Sequence, residues 1–199
     1  MTRRAFQPVA RASVQRFGPG EAATEFAPGD FILTHGDAWT SKLIRFGQRL
    51  RIHGADRKYT WWNHAALIVS EDGRLIEALG AGVVRTDISK YTPIEFHLVR
   101  TGAERLDRQE MVAFGEWAAG GKEGSGRQRY GYVTILSIAL TLLTGAKFTF
   151  SIEGQMICSG LVARSEERGH AIFSVDPVHI MPADLAKYYQ ADPPKGAAA

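Results

Sequence analysis

The chain's single cysteine, Cys158, lies in the segment Gln155-Met156-Ile157-Cys158-Ser159-Gly160-Leu161-Val162-Ala163. A free cysteine is ordinarily a small buried hydrophobe. Here the pattern that follows it predicts a helix over Cys158 to Arg168, stopped by Gly169, so the thiol stands in the first helical turn. Unpaired N–H groups and the helix dipole favour thiolate at that position. Thiolate is the nucleophilic form, and a neighbouring imidazole would hold it as an ion pair.

That imidazole must come from one of six histidines. His35, His53 and His170 fall in expected loops or turns, His97 in a strand and His179 in a C-terminal segment. His64 is different. It opens an alternating run in which His64, Ala66 and Ile68 share one face, and Asn63, Ala65, Leu67 and Val69 the other. The small Ala65 and Ala66 leave room for another element to come close. A structural role for His64 and a catalytic one both stay open at this point.

A cysteine–histidine pair also needs a group that orients the ring. Glu77 is the candidate, a carboxylate within the apolar run Leu75 to Leu79, where burial would demand a partner. Its register is the difficulty. A two-residue Asp72-Gly73 turn would set Glu77 opposite Ile68, roughly 13 Å along the strand from His64. Direct pairing with His64 needs a wider loop, closed by Ile68 and Gly73. The wider loop is expected.

Other chemistry is poorly supported. Gly120-Gly121-Lys122 lacks the spacing of a phosphate loop. No histidines stand at i,i+4, and one cysteine cannot build a structural zinc site. No cofactor or metal is therefore expected.

The elements that would position these residues follow from the pattern. Pro28-Gly29-Asp30 reads as a turn into a strand, Phe31 to Thr34. Trp39, Leu43, Ile44 and Leu50 suggest a short helix over 38–50, and Arg49 to Tyr59 reads as a loop. Strand-like runs follow at Asn63 to Val69, Arg74 to Leu79, Gly82 to Arg85 and Phe96 to Arg100. The period then becomes helical over Asp107 to Ala119. Gly120 to Gly126 reads as a loop. Tyr130 to Ala146 reads as a buried amphipathic helix with a hydroxyl stripe of Thr134, Ser137, Thr141 and Thr144. An acyl-chain pocket is another reading of it. Strands first and helices later suggest an α+β fold.

The 199 residues suit one domain. The expected division is a basic flexible arm over 1–25, a domain over 26–190 and a tail over 191–199. With a net charge of +3, composition does not call for nucleic acid. Arg3, Arg4, Arg11 and Arg16 could give the arm weak contact with a membrane surface. A lone thiol excludes an internal disulfide and fits a reducing compartment. No apolar signal segment opens the chain, so a cytoplasmic protein, of the host or of a phage, is expected. The uncharged run Tyr130 to Ala146 is shorter than the about 20 residues a spanning helix needs.

Taken together, these motifs resemble the circularly permuted NlpC/P60 domains of the papain-like superfamily, closest to the YiiX-like group. Pro28-Gly29-Asp30-Phe31-Ile32-Leu33 is similar to their opening strand, and His64-Ala65-Ala66-Leu67-Ile68-Val69 to their histidine strand. Leu75-Ile76-Glu77-Ala78 with Gly82-Val83 is similar to the strand bearing their third polar residue. Tyr130-Gly131-Tyr132, then Ile157-Cys158-Ser159 with Leu161-Val162, resembles their nucleophile region. The order histidine, glutamate, cysteine is the permuted one, and the likeness spans roughly residues 26–188. His64 and Glu77 stand one position further apart than the family motif leads one to expect.

The resemblance implies a papain-like α+β core, with an antiparallel sheet or small barrel packed against helices. It implies hydrolysis of an amide or ester through a thioester, with Cys158 as nucleophile, His64 as base and Glu77 as orienter. The Cys158 N–H would be one oxyanion donor. The substrate implied is a cell-wall peptide, or a lipid amide or ester. An acyltransferase resembling lecithin–retinol acyltransferase, or a binding module without turnover, are the alternatives.

Overall fold

A computed structural model describes residues 6–7, 12–79, 82–120 and 158–197. The hydroxyl-striped run Tyr130 to Ala146 and the glycine-rich stretch beyond Gly120 lie outside the described residues.

The strands are β1 (Ser13–Phe17), β2 (Phe31–Thr34), β3 (His64–Ile68), β4 (Arg74–Leu79), β5 (Gly82–Asp87) and β6 (Phe96–Arg100). They form one open, antiparallel sheet in the order β1-β6-β2-β3-β4-β5. Of the two expected forms, sheet or small barrel, the sheet is found. The helices are α1 (Trp39–Arg51), α2 (Arg105–Ala118), α3 (Cys158–Arg168) and α4 (Pro182–Tyr188). The class is α+β.

Period-two alternation sends the strands' side chains to two separate cores. Phe31, Leu33, Ala65, Leu67, Ile76 and Val99 pack with Phe114 of α2, Leu161 and Val162 of α3, and Leu185 of α4. Ile32, Ala66, Ile68, Leu75 and Leu98 pack on the other face with Phe17, Ile88 and Tyr91. Residues 65–68 of β3 are therefore buried on both faces. Helix α2 lies very close to β3, because a Cβ on Gly115 would stand 2.7 Å from Leu67 Cδ2. Any larger residue at 115 requires the Leu67 side chain to shift.

The Pro28-Gly29-Asp30 turn has a structural use. The buried Asp30 carboxylate accepts from the amides of Ala27 and Thr101 at 2.9 and 3.0 Å, and from Arg108 at 2.9 Å. It ties the start of β2 to the end of β6 and to α2.

Three expectations are corrected. Residues 13–17, read as part of a basic arm, form the edge strand β1, pairing Ser13–Phe17 with Arg100–Phe96. Residues 49–59, read as loop, continue α1 to Arg51 and then form a 3-10 helix over Gly54–Trp61. The segment from 191, read as a tail, is fixed at its start. Ala191 is fully buried, its carbonyl accepts from the Trp62 indole at 2.8 Å, and Asp192 pairs with Lys58 at 2.7 Å.

Helix α3 buries a second acid, Glu166. Tyr189 donates to its Oε2 at 2.7 Å, and Oε1 has no partner among the described residues. Burial, with the charge of Asp30 adding to it, outweighs the Tyr189 bond and Arg108 and pushes Glu166 up to about 8. It is thus a neutral acid near pH 7. A raised carboxyl stabilises the fold fully below its unfolded pKa, and that contribution is lost as pH rises through about 8. Glu166→Gln is expected to match wild type near pH 5 and to exceed it at pH 9 by on the order of 1–3 kcal/mol. Thermal melts of both proteins across pH 5–9 check this, and parallel curves would count against it.

Candidate functional site

Cys158 is the first described residue of α3. The first N–H groups of a helix lack intrahelical acceptors. The Ser159 amide here and the Ala65 amide of β3 both favour the thiolate of Cys158. The sheet explains why Ala65 is available. Its ladder with β4 runs through Ile68↔Leu75 and Leu67↔Ile76 and stops there. Odd-numbered residues of β3 direct their amides toward β4, as Val69 does to the Arg74 carbonyl at 2.9 Å. Where that ladder ends, the next such amide is that of Ala65. Ser159 anchors the helix start by donating from Oγ to the Ile180 carbonyl at 2.7 Å.

His64 is the first residue of β3. Its Nε2 and Oε2 of Glu77 are 2.6 Å apart. The ring also interacts electrostatically with Cys158. The ring retains 15% of its exposure, whereas Glu77 has none.

The register that brings Glu77 to His64 differs from both expected forms. Val69 and Arg74 close a four-residue loop, Ser70 to Gly73, in which the Gly73 amide donates to the Ser70 carbonyl. The loop is wider than a two-residue turn, but its closing pair is not Ile68 and Gly73. Extending the ladder places Glu77 beside Ala66, so His64 is its diagonal neighbour on the same face. Diagonal neighbours are within reach of long side chains, and the glutamate side chain spans the gap.

Three residues that the sequence did not single out complete the carboxylate's surroundings. Tyr91 donates to Oε2 at 2.6 Å, while Thr86 and Lys90 donate to Oε1 at 2.6 and 2.7 Å. With His64 this makes four donors on four acceptor positions. Thr86 comes from β5; Lys90 and Tyr91 come from the 3-10 helix Ile88–Tyr91 that follows it. The signal that could have found them is the demand itself, since a carboxylate in an apolar strand must be met by donors from adjoining elements.

Electrostatics follow from this packing. Burial alone would raise Glu77, but the hydrogen bond and charge of His64, then Lys90 and Thr86, outweigh it and hold the carboxyl well below its ordinary range. Burial would lower His64, but the charge and hydrogen bond of Cys158, then Glu77, bring it up to about 9. Burial would raise the Cys158 thiol, but the His64 charge and bond, with the two amides, bring it below the ordinary thiol value. Burial first, then the Glu77 charge, keeps the Tyr91 hydroxyl protonated and donating. The arrangement favours thiolate beside imidazolium, with a buried anion behind the ring.

No other histidine is placed this way. His35 stacks on Trp61 with ring centroids 3.6 Å apart, its Nδ1 2.7 Å from the Trp61 carbonyl. His97 is buried against Trp62, and burial, then the charge of Arg16, lowers it to about 4, so it stays neutral. His170 lies 3.6 Å from Asp107 on the surface. No group of three or more His, Cys, Asp and Glu among the described residues could hold a metal ion. Among the described residues no helix is long and apolar enough to cross a membrane.

No family model and no curated protein matches the chain.

Proposed function

We propose that this chain is a cysteine-dependent acyl hydrolase of the papain-like, permuted NlpC/P60 kind, with Cys158 as nucleophile, His64 as acid and base, and Glu77 as the group that orients it. One observation carries the reading: a single imidazole is paired with a fully buried carboxylate and interacts electrostatically with the thiol of Cys158. The pairing meets the geometric requirement of nucleophilic catalysis. The chain order histidine, glutamate, cysteine and the α+β class support the permuted assignment.

The chemistry then runs in two halves. The Cys158 thiolate attacks the substrate carbonyl carbon, forming a C–S bond and a tetrahedral oxyanion. The Cys158 amide at the start of α3 is one donor for that oxyanion. As the oxyanion collapses, the C–N or C–O bond breaks, and the His64 imidazolium gives its Nδ1 proton to the leaving amine or alkoxide. In the second half neutral His64 takes a proton from water, whose oxygen attacks the thioester carbonyl and releases a carboxylic acid. Cys158 leaves as thiolate and the ion pair is restored. Resolution by an alcohol or amine in place of water would make the same site an acyltransferase. Glu77 stabilises the imidazolium and fixes the ring without becoming protonated.

The substrate class offered by this reading is a cell-wall peptide amide, or a lipid amide or ester. Wild type and Cys158→Ser should be assayed on muropeptides and on long-chain acyl amides and esters. Turnover on one class is expected, with a protein mass increase equal to the acyl group in rapid-quench samples. The serine variant should lose at least about 10³-fold. No turnover on any of them, together with a thiol that alkylates like free cysteine, would leave a binding module as the better reading.

A further inference from the structure

Helix α1 is turned inside out. Its buried side carries a polar residue, Gln48, which is fully enclosed. The Gln48 amide donates to the Trp62 carbonyl at 2.8 Å, and its oxygen accepts from the Ala183 amide at 2.9 Å. These bonds hold the helix to the segment before β3 and to α4. On the opposite side, Phe46 and Leu50 are 50% and 40% exposed, with half-buried Leu43 on the same stripe. Positions 43, 46 and 50 fall in one stripe at helical spacing. A globular helix ordinarily presents the reverse arrangement.

The charges flanking this stripe have one sign. Helix α1 contains Lys42, Arg45, Arg49 and Arg51 and no acidic residue. Arg51 is paired with Asp184, and Arg45 is shared with His35 at 3.2 Å. Lys42 and Arg49, on the edge of the apolar stripe, have no acidic partner among the described residues. The patch continues beyond the helix. Arg51 also donates to the His179 carbonyl, which brings the exposed Val178 beside the end of α1.

An outward apolar stripe edged by unpaired cations complements an anionic lipid surface, where the stripe enters the headgroup boundary and the cations meet phosphate. We propose that α1, with Val178, docks this protein on an anionic bilayer. The surface also adjoins the thiol site. The loop leading into α1 follows Thr34, which pairs with His64, and Ser159 is bonded to Ile180, two residues from Val178. Docking would therefore bring the Cys158 end of the sheet close to the membrane. The docking itself does not depend on catalysis.

The test is co-sedimentation of the full chain with vesicles of phosphatidylcholine alone, or of phosphatidylcholine with about one-third phosphatidylglycerol. Wild type is expected on the mixed vesicles and not on the neutral ones, with binding that weakens as salt rises. Lys42→Glu should weaken it by on the order of tenfold, and the double variant Phe46→Ser/Leu50→Ser by at least about as much. All three side chains reach solvent, so melting temperatures should stay near wild type, which separates lost docking from lost fold. Cys158→Ser should bind like wild type, so failure of the acyl-transfer reading and failure of docking give different results. Absence of wild type from mixed vesicles overturns the proposal, as does equal binding by both variants. Concentration-dependent self-association that the double variant abolishes, without vesicle binding, would assign the face to a second copy of the chain and also overturns it.

Discussion

Replacing His64 with Ala is expected to slow alkylation of Cys158 by iodoacetamide about 10- to 100-fold at pH 6. The charge and hydrogen bond of His64 are what outweigh burial at the thiol. Without the ring, burial dominates, and the thiol pKa moves above its ordinary value of about 8.5. At pH 6 the thiolate fraction then falls by more than about two orders of magnitude. The intrinsic reactivity of a low-pKa thiolate is lower, which returns part of that difference. The wild-type rate should rise less steeply from pH 6 to 8 than that of the variant, which should gain about tenfold per unit. Turnover and alkylation should separate on the alkaline side. His64 is charged up to about 9, and its proton is needed by the leaving group. Turnover should therefore fall as pH passes about 9, while alkylation does not. The thiol is nearly buried, so a small reagent suits the measurement, and the comparison between variants reduces the effect of access. A wild-type profile with its midpoint near 8.5, unmoved by His64→Ala, would sink the ion pair.

How far the sequence revealed this site depended on what each residue's position required. The helix after Cys158 was legible because helical spacing runs through it and Gly169 ends it. The His64 strand was legible from its alternation. The partner strand's bounds were legible but its register was not, because the expected wider loop set Glu77 directly opposite His64, whereas the hairpin closes at Val69 and Arg74. A glutamate side chain tolerates that offset, so the residue was right although neither expected register was. Thr86, Lys90 and Tyr91 were hidden because their bonds to Glu77 depend on how β5 and the following 3-10 helix fold back beside β4. Strand β1 was hidden for another reason. Four of its five residues are not fully buried, so an edge strand rich in polar side chains reads as an arm. The spacing in α1 was correct, but it does not reveal that Phe46 and Leu50 face outward and Gln48 inward.

Glu77 is where function and stability are most tightly joined, and its substitutions should separate them. Glu77→Ala leaves the Tyr91 hydroxyl, the Thr86 hydroxyl and the His64 ring facing an empty, buried space. Breaking a buried charge pair in this way costs about 3–5 kcal/mol, enough to unfold many domains of this size. Glu77→Gln keeps the shape but cannot keep the bonds. Four donors converge on the carboxylate. An amide offers one oxygen and one NH2, so in either flip one pair of donors confronts N–H. With the oxygen toward His64 and Tyr91, the NH2 opposes Thr86 and the Lys90 ammonium. Rotation of Thr86 and the half-exposed Lys90 relieves part of this, so a smaller loss of about 1–3 kcal/mol is expected. The catalytic loss should be larger in proportion. A neutral amide no longer stabilises the imidazolium, and turnover should fall by about 10²–10⁴-fold. The pH dependence distinguishes the two roles. The folded carboxyl titrates below its unfolded value, so its stabilisation is complete above the unfolded pKa of about 4.3 and is lost as pH falls toward the folded one. Denaturant melts of wild type and Glu77→Gln should therefore differ most above pH 5 and converge in acid. Curves that stay equally far apart down to pH 3, or a glutamine variant with undiminished turnover, would remove Glu77 from its proposed role.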